Sequence, residues 1–224
     1  MAEVARTLSE RGELTAWRDE RYAVAQAFGD EPLFLIERAA ARYFGIETRA
    51  VHVNGVVGHG AETRMWIARR SAAKAIDPGM LDNLVGGGIA AGATAHETLI
   101  KEAWEEAGIP KTLAAAALPA GEVRVCREQP DGLQRETVYV HDLWLPTDFT
   151  PVNQDGEVVE QRLLDFDEAA SLIAQRDGTD VVTGDASLVI LDFLLRQGWI
   201  PRDAPEYAAL DALRRPSLNP ARPC

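Results

Sequence analysis

Three glutamates, Glu102, Glu105 and Glu106, fall close together in the stretch Gly87 to Ile109, GGIAAGATAHETLIKEAWEEAGI. If this stretch is helical, each residue turns the helix by about 100°, so the three carboxylates share an arc of about 100° on one face. Like charges at these spacings repel and weaken an isolated helix by about a few tenths of a kcal/mol per pair. A cation would remove that penalty. Hard divalent ions such as Mg²⁺ or Mn²⁺ take oxygen ligands and keep positions open for water and phosphate, which suits a carboxylate ridge beside the glycine run Gly86-Gly87-Gly88. An acidic helix face alone is ordinary solvent surface. Here an expected strand and the glycine run lie directly upstream, and that context points to phosphate chemistry.

The elements that must hold this ridge follow from period and punctuation. Thr94 to Ala107 reads as a helix, with Thr94-x-x-Glu97 as a capping box at its start and Gly108 as its stop. The apolar run Leu81 to Val85 reads as the strand that delivers the glycines. Val51 to Val57, Met65 to Arg69, Val123 to Arg127, Thr137 to Leu145 and Val158 to Phe166 read as further strands. Helices are expected at Glu31 to Phe44, Asp167 to Gln175, Asp185 to Gln197 and Pro205 to Leu213, with Asp185 as a cap. Strands crowd the middle and helices the two ends, an α/β pattern of the α+β kind.

At 224 residues and 46% hydrophobic, the chain can bury one large core, with or without a small appendage. Lys and Arg number 23 against 35 Asp and Glu, a net charge of −12 that repels nucleic-acid phosphates and anionic lipid. No nucleic acid and no membrane are therefore expected as partners. Cys126 and Cys224 form no C-x-x-C pair, so neither a disulfide framework nor a thiolate metal site is expected, and the compartment reads as reducing. With no apolar stretch of about 18 residues, a cytoplasmic protein is the expectation. The four histidines show no metal-ligand spacing.

The glutamate segment resembles the Nudix box: a glycine, five residues, Glu, seven residues, then Arg-Glu-apolar-x-Glu-Glu-x-Gly-apolar. Gly87 takes the first position, Glu102 the Glu of the Arg-Glu pair, Glu105 and Glu106 the Glu pair, Gly108 the last glycine and Ile109 the closing apolar residue. Ala93 stands where the first glutamate belongs, and Lys101 where the arginine belongs. Lys101 keeps the charge but loses the planar fork, which weakens its hold on Glu102. Glu97 does not replace the missing glutamate, because five residues of rotation place it about 140° from Glu102.

The resemblance extends through MWIARRSAAKAIDPGMLDNLVGGGIAAG, YVHDLWLPTDF and DGEVVEQRLL, and upstream through WRDERYAV and LFLIERAAARYFGI. These segments look like the Nudix branch associated with thiamine pyrophosphokinase. That resemblance implies a Nudix fold, a mixed β-sheet sandwiched between helices, over residues 49–224, with a small N-terminal domain over residues 1–48. It implies Mg²⁺-dependent (or Mn²⁺-dependent) hydrolysis of a small-molecule diphosphate, oxidised or damaged thiamine diphosphate being turned into the monophosphate, and it leaves a homodimer open. Glu102, Glu105 and Glu106 would be metal ligands, Glu102 alternatively the general base, and Lys101 would position Glu102. Glu157 resembles the acidic residue that some Nudix proteins place across the cleft, a simple turn carboxylate being the other reading. Arg69, Arg70 and Lys74, the densest basic cluster, are candidate phosphate ligands together with Gly87 and Gly88, although strand-closing surface charge explains them equally. Isopentenyl diphosphate isomerases share the fold, but Asn83-Leu84-Val85-Gly86 lacks the cysteine expected there. A binding or regulatory module with a decayed box is the other alternative.

Overall fold

The computed structural model describes residues 1–215. In chain order the elements are α1 (Ala2–Glu10), β1 (Arg21–Val24), β2 (Phe34–Glu37), α2 (Arg38–Tyr43), β3 (Glu47–Val57), β4 (Arg64–Arg70), β5 (Leu81–Asn83), β6 (Val85–Gly88), α3 (Ala95–Ala107), α4 (Lys111–Ala114), β7 (Leu118–Gln129), β8 (Gly132–Trp144), β9 (Val158–Leu164), α5 (Phe166–Ala174), α6 (Gly184–Arg196) and α7 (Tyr207–Leu213).

Strand β3 is the axis. Its residues from Ala50 to Val57 are all buried, as expected of a central strand covered on both faces. It pairs in parallel with β8 from Glu47↔Arg135 to Val56↔Trp144, and antiparallel with β4 and β6. The resulting mixed sheet runs β5-β4-β3-β8-β7, with β6 against β3 and β9 against β4. Because strand side chains alternate, Val51 and Val53 pack with Leu99, Ala103 and Ala107 of α3. Val56, on the opposite face, packs with Met65, Ile67 and the α6 residues Ile190, Phe193 and Leu194. Helices thus sandwich a mixed sheet, matching the expected fold class.

The N-terminal unit has its own small core of Ala5, Leu14, Tyr22, Ile36, Ala40 and Ala41. Here the structure departs from the expected helix over Glu31 to Phe44. Phe34–Glu37 instead forms β2 and pairs antiparallel with β1, from Arg21↔Glu37 to Val24↔Phe34, and only Arg38–Tyr43 is helical. A short apolar run such as Leu33 to Ile36 satisfies either period, and pairing with β1 decides it. At the other end, Thr183 rather than Asp185 caps α6, its hydroxyl accepting from the Ala186 N–H at 3.3 Å. Trp104 of α3 is 52% exposed. Cys126 lies on β7, and the expectation that Cys126 and Cys224 form no disulfide falls on Cys224, which lies outside the described residues. Among the described residues no helix is long and apolar enough to cross a membrane.

Candidate active site

Helix α3 is fixed at both ends. The Thr94 hydroxyl accepts from the Glu97 N–H at 3.1 Å, and the Glu97 carboxylate accepts from the Thr94 N–H at 2.9 Å. Gly108 closes the helix in the left-handed conformation, φ 63°, where a side chain would also meet the Val152 carbonyl. Between these caps the ridge is held against β6. A Cβ on Gly87 would lie 2.5 Å from the Glu102 Cγ, so only glycine lets that side chain lie against the strand.

Glu106 is 5% exposed and accepts from the Gly86 N–H at 2.9 Å. Burial pushes its carboxyl up to about 8, with Asp82 and Glu102 adding, against the Gly86 hydrogen bond and Lys74. Burial also raises Glu102, with Glu105 and Glu157 adding, against the pull of Lys101. The Lys101 ammonium donates to Glu102 at 3.0 Å and to Glu105 at 2.7 Å. Although partial burial lowers it, those bonds hold it above the usual lysine range. Lys101 therefore bridges two ridge carboxylates with a single positive charge.

Among the described residues no group of three or more histidine, cysteine, aspartate or glutamate side chains is placed to share one ion. Glu106 is turned into the strand and Lys101 lies between Glu102 and Glu105, which accounts for that arrangement. The donor chemistry nonetheless fits a hard divalent cation: these are oxygen ligands, two of them raised by burial and by neighbouring carboxylates, and a monocation already bridges two. Glu157 faces the same region, within electrostatic reach of Glu102, and is ion-paired to Lys74 and, at 3.6 Å, to Arg18. Burial raises its carboxyl, but the Lys74 hydrogen bond and the positive charges outweigh this and hold it below its usual range.

The other side of β6 opens into a cavity. Its walls include Gly86, Gly87, Gly88, Arg70, Lys74 and His52 from the main sheet region, and Arg18, Tyr22, Arg38 and Arg42 from the N-terminal unit. None of the three ridge glutamates lines it; β6 and the Lys74–Glu157–Arg18 contact form the junction between ridge and cavity. Tyr22 of β1 lies directly over Gly88, where a Cβ would run into the phenol hydroxyl. Burial raises that phenol far above its usual range, so Tyr22 remains a hydrogen-bond donor at neutral pH.

The basic cluster is split. Successive strand residues point to opposite faces, and Arg70 donates to Asp82 at 2.8 Å beside the cavity. Arg69 points away, donating to Glu160 at 2.6 Å and pairing with Asp180 in a network that includes Arg162. The expectation that Arg69, Arg70 and Lys74 act as one cluster is thus corrected by strand alternation, which leaves Arg70 and Lys74 at the cavity. Sequence reasoning missed Tyr22, Arg18 and Arg38. The segment WRDERYAV carried them, but nothing in its spacing marks a cleft wall.

A family model described as the NUDIX domain matches residues 48–182. The chain belongs to the Nudix family. A second model, described as a domain of unknown function, DUF4743, matches residues 1–48. Nudix hydrolase 24, chloroplastic, of Arabidopsis thaliana is 41% identical over 215 residues, covering 96% of this chain and 58% of the relative. Nudix hydrolase 20, chloroplastic, of the same plant is 39% identical over 210 residues, covering 94% and 55%. The chain thus spans less than two thirds of the length of these curated relatives. Among solved structures, DR0079 from Deinococcus radiodurans superposes with a TM-score of 0.57 at 24% identity, covering 76% of this chain and 97% of that one. That likeness concerns the Nudix fold.

Proposed function

We propose that the protein hydrolyses a diphosphate linkage in a small organic molecule, oxidised or damaged thiamine diphosphate being the candidate substrate and the monophosphate the product. The observation that carries this reading is the ridge of Glu102, Glu105 and Glu106 held against the β6 glycines beside a cavity whose walls bring Arg18, Arg38, Arg70 and Lys74 together with carboxylates such as Asp82 and Glu136. Family membership and the relatives named as hydrolases support the reaction class. The thiamine assignment rests on the segment likeness described above. In the reaction, water adds to one phosphorus and the bridging P–O bond breaks.

Glu105, Glu106 and Glu102 would hold the metal, Mg²⁺ or Mn²⁺, with Glu157 as a further candidate. A divalent ion there would supply a bound water of lowered pKa and neutralise charge on the scissile phosphates. Glu102, raised by burial, is also placed to take a proton from the attacking water, and Lys101 orients it. Arg70 and Lys74 with Gly87 and Gly88 would hold the phosphates from the cavity side. Each cation there is now paired with a carboxylate that an incoming phosphate would replace.

The test is phosphate release from thiamine diphosphate, its oxidised forms and ADP-ribose with Mg²⁺ or Mn²⁺, comparing native protein with Glu105→Gln. Metal-dependent turnover lost in the variant is the expected outcome. No turnover on any of these compounds would favour a second reading, a ligand-binding module, which Ala93 and Lys101 at box positions motivate.

A further inference from the structure

Strand β3 carries two buried polar side chains, His52 and Asn54, 4% and 0% exposed, on the face opposite α3. Buried polar groups cost free energy unless they are paired, and these two are paired in a line. The Asn54 amide NH₂ donates to Asp142 Oδ1 at 2.9 Å. The Asn83 NH₂ donates to Asn54 Oδ1 at 3.3 Å, and Asn83 Oδ1 lies 2.8 Å from His52 Nδ1. Asp142 is clamped by the two terminal Arg196 nitrogens, Nη1 to Oδ2 at 2.6 Å and Nη2 to Oδ1 at 3.0 Å, so both its oxygens accept.

That fixed end sets the direction of the whole line. Asn54 must turn its NH₂ toward Asp142, which leaves its oxygen to accept from the Asn83 NH₂, and the Asn83 oxygen then faces His52. An amide oxygen only accepts, so the proton belongs on His52 Nδ1. Asp82 Oδ1, 3.8 Å from the same nitrogen, favours the same placement. Nε2 has no hydrogen-bond partner among the described residues, and the ring lies over Gly86, where a Cβ would come within 3.0 Å of it. His52 lines the cavity with Glu136 and Asp185.

We infer that His52 presents a bare Nε2 to the cavity and accepts a hydrogen bond there from an N–H or O–H of the bound substrate. Asn83, Asn54 and Asp142 are positioning residues that hold the tautomer. Glu136 and Asp185 are acceptors lining the same cavity, so the donor-bearing group of the substrate is selected by several acceptors, His52 Nε2 among them. The kinetic part of this inference rests on the hydrolase reading, whereas the tautomer does not.

Long-range ¹H–¹⁵N correlation spectra at about pH 8.5, above the ordinary imidazole range, read the tautomer directly. The His52 signals, identified by their loss in His52→Phe, should show Nδ1–H and a bare Nε2. Asn83→Asp keeps the acceptor and should keep that pattern, while Asn83→Leu should lose it. His52→Phe should raise KM for thiamine diphosphate by about three- to tenfold, the loss of one neutral hydrogen bond, with a smaller change in kcat. A native protein with Nε2–H, or His52→Phe with native KM on both thiamine diphosphate and ADP-ribose, overturns the inference. Absence of any hydrolysis by native protein would overturn the hydrolase reading and leave the tautomer to be decided by the spectra.

Discussion

Glu102 owes its place to an atom that Gly87 lacks, because a Cβ there would lie 2.5 Å from the glutamate Cγ. Gly87→Ala should therefore displace Glu102 while the sheet survives. A misplacement of about 1 Å can cost about a hundredfold in rate, so the expected outcome is a fall in kcat of at least about tenfold with an unchanged circular dichroism spectrum. Native kinetics in a folded Gly87→Ala protein would remove Glu102 from the reaction. The split of the basic cluster gives a second outcome at this scale. Charge-assisted contacts to phosphate are worth about 1.5–3 kcal/mol, so Arg70→Ala or Lys74→Ala should raise KM by roughly ten- to a hundredfold. Arg69→Ala should leave KM near native, since Arg69 is engaged with Glu160 and Asp180; equal losses at all three positions would count against the division.

At the scale of elements, β6 is a strand of glycines against which three different side chains pack: His52 at Gly86, Glu102 at Gly87 and Tyr22 at Gly88. Tyr22 belongs to β1, so the N-terminal unit reaches the cleft through a glycine of the neighbouring sheet. Gly88→Ala should push the phenol away and raise KM. Tyr22→Phe, which removes the colliding hydroxyl, should relieve part of that loss, so the double variant should be less impaired than the sum of the two singles. Simple additivity in steady-state kinetics would show that the two positions act independently. Much of this level was legible in the sequence. The box helix announced its own start and stop through Thr94, Glu97 and Gly108, because capping chemistry is local. What was not legible depended on pairing between distant segments: β2 needed β1 to choose strand over helix, and Arg69 parted from Arg70 only once β4 had its two covered faces. Tyr22 entered the cleft through a tertiary contact that no spacing within its own segment encodes.

For the whole molecule, an acidic chain of net charge −12 buries one of its site carboxylates, and this should be visible in its stability. Glu106 has a folded pKa raised to about 8, above its ordinary value, by burial first and by Asp82 and Glu102 next. Between the ordinary glutamate value of about 4.3 and the raised one, the folded state binds more protons than the unfolded state, so stability falls as pH rises through that window. Glu102 is shifted in the same direction. Asp180 acts oppositely: hydrogen bonds from Arg162 and Arg69 lower it to about 2, so its contribution is present above the ordinary aspartate range and is lost only in strong acid. The two signs together place the stability maximum of the metal-free protein on the acid side of neutrality. Urea unfolding without divalent ions should give an unfolding free energy that declines from about pH 5 to about pH 9, by an amount on the order of a few kcal/mol. Glu106→Gln still offers an oxygen to the Gly86 N–H but has no proton to lose, and its curve should be flatter over that window. Parallel curves for the two proteins would mean that Glu106 is not the group whose ionisation the fold resists. A cation bound at the ridge should act in the same sense as the substitution, so Mg²⁺ should recover more stability at about pH 9 than at about pH 5 in native protein and lose that asymmetry in Glu106→Gln.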